Sequence, residues 1–281
     1  MQQPVGPLTV ADIVTVVAGV ALFAWWLLST GLGRRSLVNT KPRRNCMAPV
    51  TPILLFLAWY FGNALLPWAA VQAIGNADLW QKVFLGQLVS SIGSLGTVVI
   101  ILFIAKFDFA RGLKGLGLRL QTIPKDLGLG FLTLLGTWPL VLAAMSLTIL
   151  VTRQFYGRQY RIPPHEALKL ITESPALALQ VLLVIVAVLV APVIEEMLFR
   201  GLFQTTIRSY LRRPWPAIAL TSLLFASIHT DVSHWPSLFM LALGLGYAYE
   251  KSGSLLRPIF MHAMFNGLTI ATVLTQGPGW T

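Results

Sequence analysis

Glu195 and Glu196 stand side by side near the end of a long apolar run, Leu182–Arg200 (LLVIVAVLVAPVIEEMLFR), and are two of only ten acids in the chain. A charge at the centre of a bilayer costs from about 2.5 kcal/mol on insertion scales to about 10 or more in simulation. Side chains that costly are generally there for function. On a helix Glu196 and Arg200 are i,i+4 neighbours and can pair. Glu195 points about 100° away and has no partner on its own helix. That division suits one structural acid and one reactive acid, a general base. The competing reading makes both glutamates helix-packing salt bridges, although a single arginine cannot serve two carboxylates equally well.

Two further pairs interrupt the apolar segments that follow. In LLFASIHT, Phe225 and His229 share a helix face; a lone histidine there also reads as interfacial. In IFMHAMFNGL, His262 and Asn266 share a face, and helix-interface glue is the alternative. His234, beside Trp235, reads as interfacial, and His165 has no comparable apolar context. If the three segments converge, Glu195 and His229 can hold a water between them. His262 and Asn266 are then left to stabilise a developing oxyanion. This set suits hydrolysis of an amide by activated water, because no Ser or Cys stands in a nucleophile setting. Glu195, His229 and His262 are also zinc-type ligands. The HExxH arrangement is missing, so no metal or other cofactor is expected and zinc is the alternative.

These residues must be positioned by helices in lipid. The chain of 281 residues is 56% hydrophobic and 11% charged, with mean hydropathy +0.72, against roughly 25% charged residues in a soluble domain. Runs of about 20 apolar residues mark spans. They occur at about 9–30, 50–74, 83–105, 127–151, 175–200, 216–229, 236–250 and 258–275, the sixth and seventh short enough to be tilted or re-entrant. The fold expected is all-α, a polytopic membrane bundle of about eight helices. Residues 1–126 form an N-terminal part with basic loops, and 127–281 form the core that carries the polar pairs.

The net charge of +11 does not indicate nucleic acid, because the basic residues sit in short loops without interleaved aromatic platforms. They read as topology signals and contacts for anionic lipid headgroups. Most lie in the loops after spans one, three, five and seven, which places those loops in the cytoplasm and both termini outside. The fourth loop, with Arg153, Arg158, Arg161 and Lys169, is the exception. Residues 106–126 are expected either to lie along the membrane surface or to form a solvated connector. Cys46 is the only cysteine, so an internal disulfide is excluded. The N-terminal MQQPVGPLTVAD lacks a positive n-region and reads as leading into a retained helix.

The motifs EExxxR, FxxxH and HxxxN, in that order on successive hydrophobic segments, resemble the type II CAAX prenyl protease family. This is the Ras-converting-enzyme type of the CPBP or Abi family, whose domain is shared with lysostaphin-resistance-like and bacteriocin-immunity proteins. The stretch GYAYEKSGSLLRPIFMHAMFNG is similar to that family's approach to its last motif, and the resemblance runs over about 127–275. It implies an intramembrane endopeptidase in which Glu195 and His229 activate water, and His262 and Asn266 form the oxyanion site. Glu196, Arg200 and Phe225 support them, and the mechanism is of the glutamate type without bound metal. The implied substrate is a membrane-embedded or lipidated peptide or protein, prenylated or not, since a fold does not fix a substrate. A bacterial cytoplasmic membrane is the expected location. A non-catalytic scaffold or immunity factor using the same cavity is the leading alternative. A proton-relay transporter is the other, although no paired repeats are visible.

Overall fold

The computed structural model describes residues 10–160, 162–163 and 165–276. The N-terminal residues 1–9, Arg161 of the fourth loop and the C-terminal end lie outside the described residues, and with them the expected placing of the termini. Hydrocarbon offers a backbone no hydrogen-bond partners, so apolar runs must satisfy themselves as helices. The helices that frame the site are α1 (Val10–Thr30), α2 (Thr51–Ala73), α3 (Leu79–Asp108), α4 (Ile123–Tyr156), α5 (Glu166–Glu173), α6 (Leu177–Leu211), α7 (Pro214–Ser227), α8 (Trp235–Ser252) and α9 (Leu256–Gln276). No strand occurs among the described residues, where extended pairing is limited to an isolated bridge between Asn45 and Phe109.

The helix starts are written locally. Pro52, Pro124, Pro214 and Pro236 occupy first turns, where a missing N–H costs nothing. Asp78 and Gln81 form a capping box at the start of α3. Helices α1, α2, α3, α6 and α9, and α4 with the turn before it, are long and apolar enough to cross a membrane. At 14 residues α7 is about 21 Å long, short of a hydrocarbon layer of about 30 Å. Helix α8 carries Glu250 and Lys251 in its last turn. Large apolar side chains such as Val17 and Trp25 of α1, Leu65 and Trp68 of α2 and Val99 and Phe103 of α3 face outward. The chain is an integral, multi-pass helical membrane protein.

Helix α4 packs against α1, α8 and α9, while α2 packs on α3 and both reach α6. Gly244 of α8 sits so close to α4 that a Cβ would fall 2.6 Å from Thr137 Oγ1, which requires glycine there. Helix α5, in the fourth loop, buries Leu168 and Ile171 against Leu179 and Leu183 of α6 and Ile270 and Val273 of α9.

Three expectations change. Helix α6 runs past Arg200 to Leu211, so the glutamates lie near its middle. Residues 106–126, expected as a surface-lying segment or a solvated connector, keep Lys106, Arg111, Lys114 and Lys125 exposed but are anchored to the bundle at Leu116 and Gly117. Leu116 is fully buried, the Tyr249 hydroxyl donates to its carbonyl (2.9 Å), and Gly117 accepts from the Leu255 N–H (2.9 Å). Gly117 adopts φ +108° with Leu255 against it, a conformation that glycine alone adopts without strain. Finally, Arg43, Arg208 and Arg257 are not headgroup contacts. Asp126 and Glu250 draw them inside: Arg257 meets Asp126 at 3.0 Å, Arg208 meets Glu250 at 3.0 Å and Arg43 approaches Glu250 at 4.0 Å.

Candidate active site

The two glutamates sit on a short α-helical stretch, Ala191–Glu196, flanked by π-helical segments Val186–Val190 and Met197–Gln204. Such segments add a residue to the turn and recur at functional sites. The i,i+4 contact survives: Arg200 Nη1 donates to Glu196 Oε1 at 2.9 Å. The same oxygen lies 2.9 Å from His262 Nδ1, so α9 closes over α6 at this point. Arg200 Nη2 donates to the Ala242 carbonyl of α8 (3.1 Å), and the guanidinium lies 4.7 Å from the centre of the Phe225 ring. Both Glu196 and Arg200 are fully buried. The second oxygen of Glu196 is buried without a hydrogen-bond partner among the described residues.

Glu195 is placed differently. Its side chain is 16% exposed, and its Oε2 lies 3.8 Å from His262 Nε2. His262 therefore stands between the carboxylates, Nδ1 toward Glu196 and Nε2 toward Glu195. A carboxylate only accepts, so Nδ1 carries the proton of the Glu196 contact. This fixes which ring nitrogen faces Glu195.

Phe225 joins the motifs. It is fully buried, and its ring centre lies 5.1 Å from that of His229, 5.7 Å from that of His262 and 5.2 Å from that of Phe199. His229 lies just past the end of α7, its Nδ1 2.9 Å from the Phe225 carbonyl. A carbonyl accepts, so Nδ1 donates, and a neutral His229 keeps its lone pair on Nε2. Trp235 Nε1 holds the His229 carbonyl at 2.8 Å. Asn266 donates from Nδ2 to the Ala187 carbonyl (2.7 Å), in the first π segment. This is the helix-linking role weighed in the sequence, and it uses one of the two amide N–H donors.

A cavity of about 210 Å3 opens between α2, α3 and α6. Of the four sequence candidates Glu195, His229, His262 and Asn266, Glu195 is the one in its wall. Among the described residues no group of three or more His, Cys, Asp or Glu side chains is spaced to hold a metal ion, so Glu195, His229 and His262 do not form such a set.

Sequence reasoning missed a buried ladder beside the site. Arg200, Gln204 and Arg208 of α6 reach the Ala242 carbonyl, the Gly246 carbonyl (3.0 Å) and Glu250 of α8. The matching four-residue steps on both helices were the available signal. It also missed the polar face of α3, where Gln87, Ser90, Ser91 and Ser94 recur at i, i+3, i+4 and i+7.

Fold and site together define a polytopic helical membrane protein with a buried cluster of acids, arginine and histidines built by α6, α7 and α9. Residues 177–268 match the family model described as type II CAAX prenyl endopeptidase Rce1-like. The matched segment contains all seven motif residues and is narrower than the 127–275 expected from the motifs. An uncharacterised 24.3 kDa protein of Escherichia coli is 36% identical over 78 residues, 26% of this chain and 36% of that protein. The chain thus spans little more than a third of the length of that curated relative. No solved structure matches.

Proposed function

We propose that the protein is an intramembrane endopeptidase, hydrolysing a peptide bond of a membrane-associated, CAAX-type substrate with water activated by glutamate and histidine. The observation that carries this reading is the inequality of the two glutamates: Glu196 is sealed against Arg200 and His262, while Glu195 opens onto a cavity. Glu195 takes the proton of the attacking water, and the Nε2 lone pair of His229 is the second acceptor. His262, held through Nδ1 by Glu196, presents Nε2 to the negative charge that develops on the carbonyl oxygen, with the remaining N–H of Asn266 as its companion. That oxyanion role requires a proton on His262 Nε2 as well as on Nδ1. The mechanism proposed needs no bound metal.

The location proposed is a bacterial cytoplasmic membrane, and the Rce1-like match supports a lipidated peptide as the substrate class. The test is cleavage by purified, reconstituted protein of peptides ending in a prenylated cysteine box. Glu195→Gln is expected to cut the rate by about 10²-fold or more without changing the melting transition. Undiminished cleavage by that variant would remove Glu195 as the base. Stoichiometric zinc in the purified protein by elemental analysis, with activity lost on chelation, would overturn the metal-free mechanism.

A further inference from the structure

The cavity beside Glu195 has a second wall that the Rce1-like match does not reach. It is built by α2 and α3, and most of its polar groups are already engaged with one another. Trp59 Nε1 donates to Ser94 Oγ (3.1 Å), Ser94 and Ser90 both donate to the Asn63 side-chain oxygen, and Asn63 donates to the Trp59 carbonyl (2.7 Å). Ser91 turns its hydroxyl to the Gln87 carbonyl one turn earlier (2.7 Å). Gln87 also lines the cavity, yet no hydrogen bond ties its carboxamide to another group among the described residues. An open amide at membrane depth is costly unless something pairs with it.

Resting on the protease reading above, we propose that Gln87 is a substrate-binding residue that pairs with one peptide unit of an extended substrate lying in this cavity, next to the bond presented to Glu195. A carboxamide offers a donor and an acceptor side by side, the complement of a peptide group. The opposite wall, from Val186 and Val190 of α6, is apolar and takes an aliphatic side chain of the same peptide. The satisfied Asn63–Ser90–Ser94 network fixes the α2–α3 wall, so Gln87 is presented on a rigid surface. A water channel would require a succession of open polar groups, whereas here the hydroxyls are spent on neighbours.

The test uses the full chain in phospholipid vesicles and a quenched-fluorescence peptide ending in a farnesylated cysteine, two aliphatic residues and a terminal residue. Gln87→Met keeps length and helix preference and removes both polar atoms, so its melting transition should match that of the parent. Loss of one uncharged pairing is expected to raise KM roughly three- to tenfold with kcat nearly unchanged. In a scan replacing each peptide amide by an ester, one position should weaken the parent and weaken Gln87→Met no further. A fall in kcat at constant KM, or ester effects equal in both proteins at every position, overturns the assignment. If the parent does not cut the reporter, the protease reading fails on its own. The same esters are then read as binding, by fluorescence anisotropy, to Glu195→Gln with and without Gln87→Met. Three- to tenfold weaker binding of the double variant supports Gln87, and equal or absent binding overturns it.

Discussion

Glu195 and Glu196 are neighbours in sequence and differ in nearly every property that governs a carboxylate. Glu196 anchors Arg200 and His262 through a single oxygen, so its charge has a structural task as well as a chemical one. Glu196→Gln is expected to leave Arg200 buried without its counter-charge and to destabilise the fold by roughly 3–5 kcal/mol, along with loss of activity. Thermal unfolding in detergent, compared with Glu195→Gln, separates the two: the first variant melts earlier and the second does not. Equal melting would mean that Arg200 finds sufficient compensation in Ala242 and the Phe225 ring. The Glu196–Arg200 pair was legible in the sequence because it depends on one helical turn. The place of His262 between the two acids was not, because it depends on how closely α9 approaches α6.

At the scale of elements, the apolar runs gave the positions of the long helices, and the short α7 and α8 stood out by length. The π-helical segments around the glutamates had no sequence signal, since they arise from how α6 fits its neighbours. The polar face of α3 was readable as Gln87, Ser90, Ser91 and Ser94 at helical spacing, but its partner Asn63 on α2 was not. Helix α5 is short and amphipathic, and its start is capped by His165 Nδ1, which accepts from the Ala167 N–H (3.3 Å). Crowding by the surrounding chain, although the residue keeps an exposed edge, holds the His165 imidazole below its ordinary pKa of 6.5; repulsion from His234 acts the same way, and Glu166 and Asp231 oppose it. The folded state therefore binds fewer protons than the unfolded state. Docking of α5 should be at full strength above about pH 6.5 and weaken as pH falls toward the lowered folded value. Hydrogen exchange of residues 166–173 across pH 4–8 reads this directly, expressed relative to the intrinsic exchange rate at each pH. His165→Asn, a cap that does not titrate, should flatten the profile, and an unchanged profile in that variant would assign the transition to another group.

For the whole molecule, the sequence placed the loops after spans one, three, five and seven on one side, and the folded chain brings those loops into contact. Lys251 donates to the Ser36 carbonyl (2.7 Å), Arg208 to the Thr40 carbonyl (3.2 Å) and Arg43 to the Tyr249 carbonyl (3.2 Å), while Asp126 takes Arg257 and Ser254. Charge bias alone could show sidedness. It could not show that Arg43, Arg208 and Arg257 are withdrawn from water, because that depends on where two acids, Asp126 and Glu250, meet them in space. These contacts fasten the N-terminal loops to the ends of α6, α8 and α9. Glu250 is the centre of this fastening, 5% exposed and facing Arg208 and Arg43. Glu250→Leu alone is expected to destabilise by a few kcal/mol, because Arg208 stays buried with a lone charge. Glu250→Leu with Arg208→Met removes both charges together and should recover most of the loss. The cycle is measured by thermal unfolding of the four proteins in one detergent. Simple additivity of the two substitutions would show that the pair does not act as a unit and that the backbone contacts at Ser36, Thr40 and Tyr249 hold this end of the bundle without it.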